Sequence, residues 1–547
     1  MKESIKQSLK NKKILLSTCG CNYIEHFECR DWIPILKNIF GKVTVFGMRN
    51  HYYHHGKDYM NKLFLETIKK EKPDYIWINF DYDEIKIDTL IRIKEICPNC
   101  KTIFNCGDDD FRYDDFSRYY ALFFDYVVSN LKDLSVYTQD GIKNVFYMVA
   151  ISPKSFKPLN TEKKYPVSFI GAPVADRYDY IKYLKENHVD ISLFGFGWND
   201  FPDLKAIYKG HLLQEDFVKV VNETKINLNF SKSFLKKKSE QMKNRVLEVP
   251  ACKSFILTEY TKKNPDFINK FKEINFRNKE ELLKKINYFL KNENEIKKIT
   301  NKVYKETLKE WTWELQLINF FNNIEKNKNY YPKRIFKKYK IKRLKEEDLL
   351  LENEKIIRLL KNYDYVTIKK DLVFESKYRD FIQGYSLEKS KKEISCCDYT
   401  LSSPLIGDYA IFLGKKAYNL VNNNDFNKLL NINQLAVKKE FFINHLSDFK
   451  KIIDNKFSEI ITEDNTVFVS IPLVSIRDID PIGYIGMKKV FRMLFFNKLF
   501  SIVYNKKPSV YPLKMIIESL KRRKYFIIRY IFDYISNKEN WKKLNFF

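Results

Sequence analysis

Residues 227–260 read NLNFSKSFLKKKSEQMKNRVLEVPACKSFILTEY. Asn227–Phe230 closes an apolar run, and Ser231–Asn244 is mostly polar. Arg245–Ala251 resumes an apolar pattern with one acid, Glu248, inside it. Ser254–Thr258 is short and apolar, bounded by Lys253 and Glu259. Buried strand, charged loop, helix start and second strand is the rhythm of a parallel α/β sheet. A polar loop that opens a helix at a strand end attracts phosphorylated ligands, because free N–H groups and the helix dipole favour anions there. Arg245 is placed to add a forked cation and Glu248 to accept from ribose hydroxyls.

The stretch NRVLEVPACKSFILTEY resembles the C-terminal half of GT-B glycosyltransferases of the group-1, spore-maturation-protein (CgeB-like) type. The match lies at Arg245, Glu248, Ala251, Cys252, Phe255, Leu257, Thr258 and Glu259. It departs at Leu247, where the pattern has an aromatic, and at Lys253, where it has glycine. Lys253 must therefore tolerate a backbone that glycine adopts freely. Glu240 and Glu248 match the E-x7-E spacing of family-4-like retaining enzymes. The resemblance implies a sugar-hydroxyl contact for the first acid and a ribose contact for the second.

Working outward, Pro166–Gly171 (PVSFIG) begins a second sheet and matches the family's "V-S-F-x-G … R … L" at Val167, Phe169, Gly171, Arg177 and Leu184. The resemblance gives this turn donor-diphosphate contacts through Gly171 and Arg177. Gly195-Phe196-Gly197-Trp198 matches the family's "G-x-G-W", which adds Gly195 and Gly197 to the donor side. Trp198 would stack on a donor base or pack in the core. The late Trp311-Thr312-Trp313 also fits, so the resemblance spans residues 13–325.

The N-terminal part alternates strands (Lys13–Thr18, Val43–Phe46, Tyr75–Phe80, Thr102–Asn105) with helical patterns, the α/β signature. Gly20, in Cys19-Gly20-Cys21, lets backbone approach a ligand at the first crevice, but one glycine excludes a G-x-G-x-x-G dinucleotide site. His26 follows, facing that crevice or packing structurally. HYYHHGKDYM clusters His51, His54 and His55 with no ordered acid partner. It reads as an exposed aromatic loop, with His54 as an acceptor contact, rather than a metal site. In CGDDDFR, Asp108 and Asp109 stand at a strand's C-terminal end, to act as general base, sugar contact or metal site or else to cap a helix.

The charge balance is 98 Lys+Arg against 69 Asp+Glu, a net +29. It reads as solvated lysine faces or as attraction to nucleotide-sugars or a membrane surface. No nucleic-acid motif accompanies it, so nucleic acid is not expected as a partner. Nine Cys, an odd number, with no signal peptide predict a reducing cytoplasm and free thiols. Cys97 and Cys100 in CPNC lack a second pair at zinc spacing and read as a loop. No run approaches the ~20 apolar residues of a spanning helix.

Residues 326–355 read as a charged helical linker and 356–486 as an accessory α+β domain. The latter faintly resembles the second half of a GT-A, family-2-like glycosyltransferase. The place of its metal-holding D-x-D reads Lys369-Lys370-Asp371, which implies a degenerate, non-catalytic module for acceptor recognition or assembly. Residues 487–547 mix bases and aromatics; Phe491, Leu494, Phe495 and Leu499 share a helical face that would lie on a membrane or pack on the core.

The expected fold is α/β of GT-B type. Residues 1–160 form a Rossmann-like acceptor domain and 161–325 a Rossmann-like donor domain, followed by the linker, the accessory domain and the tail. The expected function is transfer of a sugar from a nucleotide-sugar donor to a glycan, lipid-linked or protein acceptor in cell-surface polysaccharide or glycoconjugate synthesis. No cofactor or metal is expected. Asp108, Asp109 and Glu240 are the candidate catalytic residues; Gly171, Arg177, Gly195, Gly197, Arg245 and Glu248 would bind the donor; Gly20, His26 and His54 would line the acceptor crevice. The chain is expected in the cytoplasm, free or peripheral on the membrane's inner face. The alternative is a non-catalytic scaffold or binding protein at the membrane surface.

Overall fold

The computed structural model describes residues 2–477 apart from 19–27, 49–50, 52–56, 81–83, 108, 213, 233–239, 327–336, 370–372, 376–377, 404–406, 412–434 and 452–464. Gly20, His26, His54, Asp108, Asp371 and the 487–547 tail lie outside the described residues. Among the described residues the strands form three sheets.

The first sheet is built from β1 (Lys13–Thr18), β2 (Lys42–Gly47), β3 (Tyr75–Asn79), β4 (Lys101–Cys106), β5 (Tyr126–Ser129) and β6 (Val145–Tyr147). Its order is β2-β1-β3-β4-β5-β6, with every pair parallel. A parallel sheet must bury both faces, because its crossover helices cover them. Strand β3 shows this residue by residue. Ile76 and Ile78 enter one apolar core, while Tyr75 and Trp77 enter another on the opposite face.

The second sheet comprises β7 (Tyr165–Ile170), β8 (Ile191–Phe194), β9 (Thr224–Asn229), β10 (Ile256–Glu259) and β11 (Asn275–Phe276). Its order, β11-β10-β9-β7-β8, is again wholly parallel. Both sheets therefore reverse strand order at the same step, between β1 and β3 and between β7 and β9. Such a reversal opens a crevice at the carboxyl ends of the strands. The carboxyl edges of the two sheets meet. Lys132, just beyond β5, donates to the carbonyls of Lys262 and Asn264 (3.3 and 3.1 Å) and pairs with Asp266 (2.5 Å), all just beyond β10. Two doubly wound units with facing crevices are the GT-B architecture expected from the sequence.

The third sheet is mixed: β12 (Ile341–Lys345), β13 (Tyr365–Lys369), β14 (Val373–Glu375), β15 (Ile394–Ser403), β16 (Gly407–Ile411), β17 (Leu435–Lys438) and β18 (Thr466–Arg477). Its order is β12-β13-β17-β15-β18-β14, with β16 paired to β15. It packs on the first unit. Phe123 meets Tyr378 and Phe381 edge-on, and Tyr119 meets Tyr385. Beside these rings, Asp140 accepts from Tyr113 Oη (2.7 Å) and Arg118 Nε (2.5 Å) of the first unit and pairs with Lys389 (3.4 Å) of the third. The Asp140 carboxylate is only 5% exposed.

Two sequence expectations are corrected. The 326–355 segment is not a helical linker throughout. Ile341–Lys345 is an edge strand parallel to β13, with Ile341 and Leu344 buried on opposite faces and lysines between and beside them that masked the strand in a helical reading. Residues Thr466–Arg477 form one long strand, β18, whose register against β15 shifts at Asp398. The N-terminal helix, Lys2–Leu9, is held by buried Leu9 and a Lys6–Glu314 ion pair. Finally, the helix Trp313–Lys326, assigned by sequence to the second unit, packs on the first. Its stripe of Leu317, Ile318, Phe320, Phe321 and Ile324 lies against Phe40, Tyr75 and Trp77. Glu325 then accepts from Tyr75 Oη and pairs with Lys101 (3.1 Å).

Candidate functional site at the second crevice

The turn after β7 is shaped by glycine. Gly171 N–H donates to Phe194 O (2.9 Å), and Trp198 Nε1–H donates to Gly171 O (2.7 Å). A Cβ on Gly195 would stand 2.5 Å from Gly171 O, and Gly195 itself sits at φ +123°. The turns after β7 and β8 can thus cross only because Gly195 has no side chain. Gly197, at φ +84°, continues the same turn against Pro173. Trp198 is fully buried, so its ring is a structural brace and does not stack on a ligand base.

Two guanidinium groups converge on this turn. Arg177 opens the helix Arg177–Glu186 and donates to Ala172 O (3.0 Å) and Lys232 O (3.4 Å). Arg245 opens the helix Arg245–Ala251, pairs with Glu248 one turn on (2.5 Å) and reaches Ile170 O (3.5 Å). Its guanidinium lies over the Phe217 ring at 4.0 Å. Lys232, just beyond β9, pairs with Asp176 and lies 3.8 Å from Glu259. Among the described residues no carboxylate lies within ion-pair distance of Arg177, which is 8% exposed. Burial, and then the like charge of Arg245, push its pKa down to about 10. Glu259 and Asp176 offset part of this without touching the guanidinium. A buried cation with no carboxylate in contact and a donor to spare is costly, and a bound anion relieves it. The switch point of the second sheet thus presents two guanidinium groups, each with a buried, unpartnered Nε.

Glu240 stands at the mouth of the site. It is exposed, accepts from Thr261 Oγ1 (2.6 Å) and forms a bridge with Lys232. The structure thus brings Gly171, Arg177, Gly195, Arg245 and Glu248 together, with Gly197 behind them and Glu240 at the edge. Lys232, Asp176 and Phe217 were not read from the sequence. Lys232 precedes a run of three further lysines, so composition gave no way to single it out.

Asp109 is placed elsewhere, which corrects its expected role as a crevice acid. It is 1% exposed, and Oδ2 accepts from Ser129 Oγ (2.5 Å) and Tyr137 Oη (2.7 Å). Burial raises its pKa to about 6, against the opposing hydrogen bonds of Ser117, Ser129 and Tyr137. The sign of the linkage follows. A carboxyl whose folded pKa lies above its unfolded 3.8 stabilises the fold most at low pH, and that contribution is lost as pH rises from about 4 to about 6. Asp109→Asn should remove this dependence. Its stability relative to the parent should rise by about 2–3 kcal/mol between pH 4 and pH 7. Parallel melts of both proteins across that range check this; a constant gap would disprove the buried-carboxyl account.

With the geometry in place, comparison with known proteins becomes informative. Residues 177–322 match the glycosyl transferase-like family. This segment starts at Arg177 and contains Arg245, Glu248 and the whole crevice helix. The Spore protein CgeB of Bacillus subtilis (strain 168) is 22% identical over 210 residues, covering 35% of this chain and 65% of CgeB. The chain thus spans just under two thirds of that relative. Among solved structures, TarM gives a TM-score of 0.37 at 15% identity, covering 48% of this chain and 58% of TarM. AviGT4, a glycosyltransferase involved in avilamycin A biosynthesis, gives 0.39 at 9% identity, covering 57% and 96%. The glycosyl transferase-like segment is the part of the chain that carries the arginine pair.

Proposed function

We propose that the chain is a glycosyltransferase that takes a nucleotide-activated sugar as donor. The observation that carries this reading is the Arg177–Arg245 pair at the β7/β9 switch point, with no carboxylate in ion-pair contact with Arg177 among the described residues and the Nε of both arginines unpartnered. The donor diphosphate would lie against these guanidinium groups and the turn at Gly171. In glycosyl transfer the strong new charge develops on the leaving diphosphate, and preorganised donors stabilise it as it forms. Two guanidinium groups supply that stabilisation without a metal ion, so a metal-independent reaction is part of the reading. Glu248, fixed by Arg245, would accept from the ribose, and Glu240 would contact the sugar. The acceptor would enter from the first unit, as a glycan, a lipid-linked glycan or a protein.

Isothermal titration with a panel of nucleoside diphosphates and nucleotide-sugars, in EDTA and then in Mg²⁺, tests this. One nucleotide should bind in EDTA. Arg245→Ala, at a half-exposed position, should weaken it by about 10- to 100-fold, the loss of one charge-assisted contact. Arg177→Lys keeps the charge but loses the fork, and should weaken it by a smaller factor. If no nucleotide binds under either condition, the donor-site reading fails and the non-catalytic scaffold reading takes its place.

A further inference from the structure

The second crevice has an aromatic feature that the diphosphate reading does not use. The rings of Phe196 and His211 lie face to face, with centroids 3.6 Å apart and planes inclined by 23°. Phe196 is half-buried and His211 exposed, and neither joins the apolar core beneath the sheet. Their backbones are nevertheless firmly held. Phe196 sits between Gly195 and Gly197, and His211 follows Gly210; all three glycines have positive φ. Gly195 N–H donates to Gly210 O (3.0 Å), and Tyr208 Oη donates to Gly195 O (2.8 Å). Three left-handed glycines and a tyrosine brace thus present two rings at the carboxyl end of an edge strand.

Their position relative to the arginines is fixed by one turn. Gly171 touches Gly195 on one flank. On the other, its neighbours Ile170 and Ala172 give their carbonyls to Arg245 and Arg177. From β9 across β7 to β8 is two strand spacings, about 10 Å. That is the reach of a ribose and its phosphate ester. We propose that the Phe196–His211 pair is the stacking platform for the donor's nucleobase, with the outer face of His211 against the base. This rests on the diphosphate reading of the arginine pair and deepens it. Every base has a π-face, and base-on-aromatic stacking is strong enough to change affinity by about 10-fold or more. Partial desolvation against the Phe196 side lowers the His211 pKa, which favours the neutral ring and keeps it from competing with the arginines for the phosphates. Stacking alone reads the presence of a base more than its identity. The platform therefore separates nucleotides from bare diphosphates.

The test uses the whole chain with two probes, the nucleoside diphosphate that binds best and inorganic pyrophosphate, which has no base. His211→Ala and Phe196→Ala should each weaken the nucleoside diphosphate about 10-fold and leave pyrophosphate within 2-fold. His211→Phe, which keeps a ring, should restore nucleotide binding. His211 is exposed, so its variants should melt with the parent and report binding alone. Unchanged nucleotide affinity in both alanine variants would overturn the platform while leaving the diphosphate site standing. Equal losses for both probes would also overturn it, since the residues would then shape the turn and not meet a base. If the parent protein binds neither probe, the diphosphate reading itself falls and the platform with it.

Discussion

Asp140→Ala should destabilise the protein by about 3 kcal/mol and uncouple the third sheet from the first unit. Removing one partner of a buried ion pair is costly because the other charge stays buried without compensation. Here the carboxylate is shared by Arg118, Tyr113 and Lys389. Burial is the largest single influence and disfavours the Arg118 charge; Asp140, with smaller help from Tyr119, Asp114 and Tyr113, outweighs it, so the net shift of its pKa is upward. In the variant the one carboxylate left in ion-pair contact with Arg118 among the described residues is Asp114, 79% exposed at 3.3 Å. An exposed pair of that kind contributes ~1 kcal/mol or less. Calorimetry is the measurement. The parent should show the first unit and third sheet unfolding together; the variant should melt earlier, with an added low-temperature shoulder. An unchanged trace would mean that the aromatic contacts of Phe123 and Tyr119 suffice, and the account of Asp140 as the joint would be wrong.

Gly195→Ala should have a similar or larger effect, about 3 kcal/mol, and it should also weaken nucleotide binding. Two costs add. The residue sits at φ +123°, where a side chain strains the backbone by 1–3 kcal/mol. The new Cβ would also stand 2.5 Å from the Gly171 carbonyl oxygen and 2.8 Å from its carbon, both backbone atoms without a rotamer to escape into. Relief requires the turns after β7 and β8 to part. That movement carries Ile170 and Ala172, whose carbonyls hold the two arginines. Gly210→Ala is the control. It shares the positive φ, but its Cβ would meet nothing within 4 Å. It should show the strain without the displacement. Equal effects from both variants would remove the close crossing from the explanation.

The parallel architecture was legible because buried strands announce themselves. KILLST, YIWIN and SFILT are short apolar runs bounded by polar residues, and each became a central strand. The donor-side turns were legible through Gly171, Gly195 and Arg245, where a backbone need or a forked cation leaves a mark in the residue type. Lys253 also fits. It stands where a glycine was expected and adopts φ +51°. Placement across long distances was not legible. Asp109 and its neighbours look alike in the sequence, and only the packing of Ser129 and Tyr137 shows that Asp109 faces inward. Trp198 and Phe196 are two residues apart in one motif, yet the first is buried and the second reaches the surface. The helix Trp313–Lys326 has an ordinary apolar stripe, and nothing in a stripe says which sheet will receive it.

That last helix bears on how the chain can be divided. A fragment ending near residue 160 would leave Tyr75, Trp77 and Phe40 facing water, because the side chains that cover them arrive more than 150 positions later. A fragment of the second unit that keeps the helix would carry a bare apolar stripe instead. The two halves are tied like a parcel whose string is knotted on the far side. Each lacks the surface that the other supplies, so either half would emerge during synthesis with a sticky face until residue 326 is reached.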